Sequence, residues 1–171
     1  MKKFLIVVDM QNDFISQALG TPEAQKILGP LCRKIRQWDG PVIYTRDTHG
    51  EDYRDTQEGR ILPIPHCIRG TKGWELRPEV AEAAREEPVD KATFGSTKLG
   101  ELLREENAKE PIEYIELIGL CTDICVISNA LLLKAFLPET EIRVDADLCA
   151  GVTPQSHKRA LEAMEACQIL V

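Results

Sequence analysis

Glycine is missing where a nucleotide-binding chain would place it. The first apolar run, Phe4 to Asp9 (FLIVVD), passes into MQNDF rather than a glycine-rich turn, so no backbone cradle for a phosphate opens there. Paired cysteines are missing too. The six cysteines (Cys32, Cys67, Cys121, Cys125, Cys149 and Cys167) include no CxxC motif, and a chain of 171 residues needs no covalent staple. They are read as reduced thiols. Cys121 and Cys125 have the wrong spacing for a thioredoxin-type redox pair. Positive charge is in deficit. With 21 basic against 28 acidic side chains, a net charge of −7 and a pI near 5.1, the chain is a poor partner for nucleic acid or an anionic membrane, and a small uncharged ligand suits it better. Long apolar runs are also absent. Nothing approaches the roughly 18 residues of a membrane span, and Phe4 to Val8 is too short for a signal-peptide core, so a cytoplasmic protein is expected. No repeat, low-complexity tract or linker divides the sequence. Residues 1–171 are read as a single domain, large enough to bury roughly 70% of its unfolded surface.

What is present alternates between two patterns. The apolar runs at 4–9 and 114–120 read as buried strands, the first covered on both faces, and further strands are read at 42–47, 87–91, 141–146 and 168–171. Between them, apolar residues at helical spacing mark helices at 22–38, 77–84, 97–107, 124–135 and 154–166, with Thr21-Pro22 and Ser96 or Thr97 as start signals. Strand and helix in alternation predict an α/β fold: three layers, α/β/α, around a mostly parallel sheet of roughly six strands. The stretch from Thr48 to about Trp74 has little periodicity. Unstructured connections of that length in a compact domain are commonly functional, and two of the three histidines lie inside it.

The stretch Glu113 to Ala135 organises the candidate chemistry. An apolar strand breaks at Gly119 to Asp123, which places Cys125 in a helix's first turn, where free N–H groups and the helix dipole favour a thiolate. Taken alone, Cys125 could equally be a small buried core residue. In open parallel sheets, however, ligands bind outside the carboxyl ends of the strands. Asp9, Asp47 and Lys91 end three other strands and should share that rim with Cys125. Each alone has an ordinary alternative as a turn residue, cap or solvated lysine. Together they offer a sulfur nucleophile, a base and a cation, with broken-strand N–H groups for an oxyanion: the outfit of acyl transfer through a thioester. Asp47, His49 and His66 can also converge on a divalent metal such as zinc, although His66 beside Pro65 could be a packed loop residue.

Six motifs in order, VVDMQNDF, YTRDTH, PHCIRGTKGWEL, DKATFGST, GLCTDICV and DLCAGVTPQSH, resemble the cysteine hydrolases of the isochorismatase-like superfamily, and within it most closely the nicotinamidases, also called pyrazinamidases. The resemblance implies that fold. It implies a catalytic triad on Asp9, Lys91 and Cys125, and a cis peptide between Leu120 and Cys121 with the N–H groups of Cys121 and Cys125 facing the oxyanion. It also implies a zinc-type ion on Asp47, His49, His66 and, from the intervening loop, Glu58. Other members use a third histidine where this chain has Asp55. The implied reaction is hydrolysis of nicotinamide to nicotinate and ammonia for NAD salvage, by a homo-oligomer. One departure is visible: family members commonly carry an aromatic residue three positions before the second metal histidine, where this chain has Pro63. Phe14 and Phe94 are the expected walls of the substrate pocket instead. Two other readings stay open: a related hydrolase of another amide, carbamoyl or ureido compound, and a noncatalytic binding protein on the same fold. His157 is read as structural or exposed.

Overall fold

The computed structural model describes residues 2–171. Its centre is β1 (Lys2–Val8), whose residues Phe4 to Val8 are buried on both faces. It pairs in parallel with β2 (Val42–Asp47) on one side and β4 (Ile112–Leu120) on the other. β3 (Val89–Lys91) extends the sheet beyond β2, and β5 (Glu141–Ala150) beyond β4. The order is β3-β2-β1-β4-β5, all parallel. Because the chain winds outward from β1 in one direction and then returns to start β4 on the other side, a crevice opens at the carboxyl ends of β1 and β4, where ligands collect in such sheets.

The strand count is five rather than about six. The expected last strand, 168–171, makes one isolated bridge between Leu170 and Arg143, through two backbone hydrogen bonds to Ile142 and Val144. It is too short to add a strand. β5 is longer than expected instead, resuming after a register shift so that Cys149 and Ala150 pair with Gly119 and Leu120.

Helices cover both faces, and strand alternation decides which. Phe4, Ile6 and Val8 of β1 point to a core completed by α5 (Thr97–Lys109), α6 (Ile127–Phe136) and α7 (Pro154–Ala166), through Leu99, Leu103, Ala130, Leu133 and Met164. Leu5 and Val7 point the other way, to Ala24, Ile27, Leu31 and Ile35 of α2 (Pro22–Gln37), with α1 (Asn12–Ile15) and α4 (Pro78–Ala81) beside it. Local chemistry starts these helices where expected: Thr21 caps α2 ahead of Pro22, and Ser96 caps α5. Between β2 and β3 the long connection is compact, holding a 3-10 turn (Tyr53–Asp55) and α3 (Gln57–Ile61). No helix among the described residues is long and apolar enough to cross a membrane. All six cysteines are free thiols.

Gly119 shows why the end of β4 has its sequence. Its φ is +118°, and a Cβ there would sit 2.2 Å from the Val8 carbonyl oxygen. Only glycine lets β4 run this close to β1 while turning into the crevice. Gly119→Ala is expected to cost about 2–4 kcal/mol, lowering the thermal midpoint by roughly 5–15 °C in a calorimetric scan.

Candidate active site

The strand ends deliver four groups to one buried cleft. Asp9 follows β1, Asp47 ends β2, Lys91 ends β3, and Cys125 sits in a π-helical turn (Thr122–Val126) between β4 and α6. All four are at least 96% buried, with relative exposures of 0%, 3%, 4% and 4%. The Lys91 ammonium is the hub. Its Nζ lies 2.7 Å from Asp9 Oδ2 and donates to Cys125 Sγ at 3.3 Å, to the Thr93 carbonyl at 3.2 Å and to Asp47 Oδ1 at 3.5 Å. A cation this deep needs such partners, since an unpaired one would cost several kcal/mol.

Asp9 is held from its other side. Its Oδ1 accepts the Thr45 hydroxyl at 2.6 Å, and Thr45 Oγ1 in turn accepts the Asp9 N–H at 3.2 Å. Oδ2 faces the ammonium as an ion pair with no donor aligned for a hydrogen bond, so a lone pair is open to the thiol proton. Burial raises the Asp9 pKa, with Lys91 pulling it down and Asp47 adding to the rise. Lys91 shows the opposite balance: burial would lower its pKa, but Asp9, Cys125 and Asp47 together raise it, so it stays charged.

The expected thiolate at a helix start does not occur. Burial, then the Asp9 carboxylate, push the Cys125 thiol well above its ordinary range, and the Lys91 cation only partly offsets them. The turn also displaces Cys125 from the start of α6: the Val126 N–H donates to the Cys121 carbonyl five residues back, a wider loop than an α-helical first turn. The raised pKa favours the thiol form of Cys125, whose sulfur accepts from Lys91, the ion-pair partner of Asp9. The Leu120–Cys121 peptide is cis.

A second cluster shares Asp47. Asp47, His49, Glu58 and His66 each turn one ligand atom inward, all within 4.8 Å of one another. The pairwise distances are 3.0 Å (His49 Nε2 to Asp47 Oδ2), 3.6 Å (each histidine Nε2 to Glu58 Oε1) and 3.7 Å (His66 Nε2 to Asp47 Oδ2). Ligands around a tetrahedral ion with bonds of ~2.1 Å stand roughly 3.4 Å apart, so the set fits zinc or a similar cation. The His66 tautomer fits as well. Its Nδ1 donates to the Ile64 carbonyl at 2.9 Å, which leaves a lone pair on Nε2, aimed into the cluster. Charge balance points the same way: Asp9 and Asp47 share the one Lys91 ammonium, and Glu58 adds a further carboxylate beside the two histidines. Asp55 lies outside the group.

The pocket residues separate. Phe14 is buried with its ring 5.5 Å from that of His66, while Phe94 is 44% exposed on the loop after Lys91. Pro63 is exposed. His157 is half-buried, in the first turn of α7.

A family model described as the isochorismatase domain matches residues 3–171. The chain belongs to the isochorismatase family. It is 27% identical over 181 residues to a nicotinamidase/pyrazinamidase of Mycobacterium tuberculosis, covering 96% of this chain and 95% of that protein. The solved structure of a pyrazinamidase of Pyrococcus horikoshii in complex with zinc superposes with a TM-score of 0.80 at 28% identity, over 99% of this chain and 98% of the other. An N-carbamoylsarcosine amidase from Thermoplasma acidophilum superposes with a TM-score of 0.74 at 30% identity, over 96% and 94%.

The isochorismatase domain of this chain also uses polar residues that spacing alone did not single out. Gln11 bonds the Asp47 backbone in both directions and the Trp74 carbonyl; Asn12 reaches the Lys72 carbonyl; Asp13 accepts the Cys67 N–H. The MQND turn thus clamps the long loop that carries the histidines. Asn129, fully buried, accepts the Ser96 N–H and donates to the carbonyls of Phe94 and Cys125, tying the loop after Lys91 to the nucleophile's turn. The one available signal was polar residues inside apolar stretches, which must find partners when buried.

Proposed function

We propose that the chain hydrolyses a small aromatic amide, nicotinamide, to nicotinate and ammonia, as a step of NAD salvage. The observation that carries this reading is the buried contact of Lys91 Nζ with both Asp9 Oδ2 and Cys125 Sγ, 2.7 and 3.3 Å away. Asp9 takes the thiol proton as sulfur forms a bond to the amide carbon. The N–H groups of Cys121 and Cys125 receive the negative charge that develops on oxygen, and Lys91 holds the carboxylate in place. Asp9 then returns the proton to the departing nitrogen, the C–N bond breaks, and ammonia leaves a thioester on Cys125. Water, deprotonated by Asp9, attacks that thioester, giving the acid and regenerating the thiol. Because the thiol pKa is raised, proton transfer accompanies attack instead of preceding it.

Asp47, His49, Glu58 and His66 would hold a divalent ion, with Phe14 against His66 as one wall of the substrate pocket and Phe94 on its outer side. When bound, such an ion supplies a Lewis-acid anchor for a substrate lone pair, as on a pyridine nitrogen. After stripping with a chelator, zinc at about 1,000 times its Kd is expected to add about 4 kcal/mol of stability. That raises the thermal midpoint by roughly 8–16 °C. His66→Ala is expected to remove most of that rise.

The pH profile follows from the buried charges. As pH falls through the Asp9 value, raised above 3.8, the base becomes protonated and kcat/KM drops. Lys91, raised above 10.5, keeps its charge, so its ionisation sets no alkaline limb below that pH. Rates measured from pH 4 to 10 check both expectations.

A second reading, hydrolysis of an N-carbamoyl compound, is favoured by exposed Pro63, which leaves no ring stacked from that side of the loop. Ammonia release by zinc-loaded enzyme from nicotinamide, pyrazinamide and an N-carbamoyl amino acid separates the two. Higher kcat/KM on the pyridine and pyrazine amides supports the first; turnover of the carbamoyl compound alone overturns it.

A further inference from the structure

His157 lies in α7, remote in sequence from every group assigned above, yet its side chain reaches the nucleophile's turn. Its Nδ1 is 2.7 Å from the hydroxyl of Thr122, which is fully buried next to Cys121. The imidazole is fixed from behind. A capping box between Thr153 and Ser156 starts α7, the His157 N–H donates to the Thr153 carbonyl, and Gly151 packs so closely that a Cβ there would lie 2.9 Å from the His157 backbone. A second strut runs in parallel: the Val152 N–H donates to the Asp123 carboxylate at 3.1 Å.

Both struts end on the segment Cys121 to Cys125, which contains the two N–H groups assigned to the oxyanion. From this we infer that His157 is a positioning residue. Through Thr122 it holds in place the Cys121–Cys125 turn, which lies between the two oxyanion-binding N–H groups, and so sets their aim without touching substrate. The inference rests on the amidase reading. Donors at an oxyanion must be placed before charge develops, and a shift of about 1 Å can cost on the order of 10²-fold in rate. Substrate binding and the sulfur's own reactivity do not depend on that aim.

Three measurements on His157→Ala, His157→Asn and Thr122→Val test this: kcat and KM for amide hydrolysis, and the rate at which iodoacetamide alkylates Cys125. Alkylation displaces iodide from a saturated carbon and builds no oxyanion. His157→Ala and Thr122→Val should each lower kcat roughly 10- to 100-fold, with KM and alkylation rate each held within about twofold. The asparagine variant, which places a hydrogen-bonding atom near Nδ1, should recover most of kcat, and the double variant should be no worse than the worse single one. Thr122→Val keeps the side-chain shape, so it serves if His157→Ala folds poorly. Wild-type kcat in Thr122→Val, or equal falls in kcat and alkylation rate, would overturn the inference while leaving the amidase reading intact. A wild-type protein that releases no ammonia would overturn both.

Discussion

Cys125→Ala is expected to abolish ammonia release, lowering kcat by about 10⁴-fold or more while substrate still binds. The sulfur is the nucleophile held by Lys91, whose ammonium also pairs with Asp9, and alanine leaves neither a bond-forming atom nor a proton for Asp9 to move. The site should remain built. Asp9 and Lys91 keep their 2.7 Å contact, and the ligand cluster around Asp47 does not involve residue 125. Calorimetric titration with nicotinamide checks binding, and a coupled ammonia assay checks rate. A serine at 125 is not expected to rescue: an alcohol is a weaker acid than a thiol, and a carboxylate base cannot generate enough alkoxide.

Lys91→Met is expected to cost both folding and turnover. Removing the ammonium leaves the Asp9 and Asp47 carboxylates buried against each other with no cation between them. Breaking a buried pair in this way costs about 3–5 kcal/mol, or roughly 6–20 °C in thermal midpoint. The sign of the pH dependence identifies the cause. Without Lys91 the Asp9 pKa in the folded protein rises further above its unfolded value of 3.8, so the folded state holds the proton more tightly. The deficit is therefore largest near neutrality and shrinks as pH falls toward the ordinary carboxylate range, where Asp9 carries a proton in both states. Melting curves of wild type and variant between pH 4.5 and 8 check this, and a deficit independent of pH would mean lost packing rather than stranded charge. Turnover at pH 7 should fall about 10³-fold or more, since a protonated Asp9 cannot serve as base.

Much of this site could be read from the sequence because parallel strands put their ends on one rim. FLIVVD, VIYTRD and the run ending at Lys91 each declare where a strand stops, and the fold brings those stops together. What could not be read was partner geometry. Thr45 lies within a strand and looks like a β-former, yet its hydroxyl is what holds Asp9. Thr122 and His157 are 35 positions apart and meet only because α7 packs against the π turn. A helix terminus by itself favours a thiolate, but at Cys125 burial raises the thiol pKa and outweighs every other influence on it. The Gln168 to Val171 run has strand-like residues, but β5 lengthens past its shift and leaves that segment only a single bridge.

Parallel measurement of alkylation and activity tests most directly whether the sulfur of residue 125 is the reacting atom. The wild-type protein, treated with iodoacetamide for increasing times, is divided between peptide mass spectrometry of Cys125 and an ammonia-release assay. Activity should fall in one-to-one proportion to the fraction of Cys125 alkylated, and bound nicotinamide should slow both. Full alkylation of Cys125 with ammonia release undiminished would contradict it.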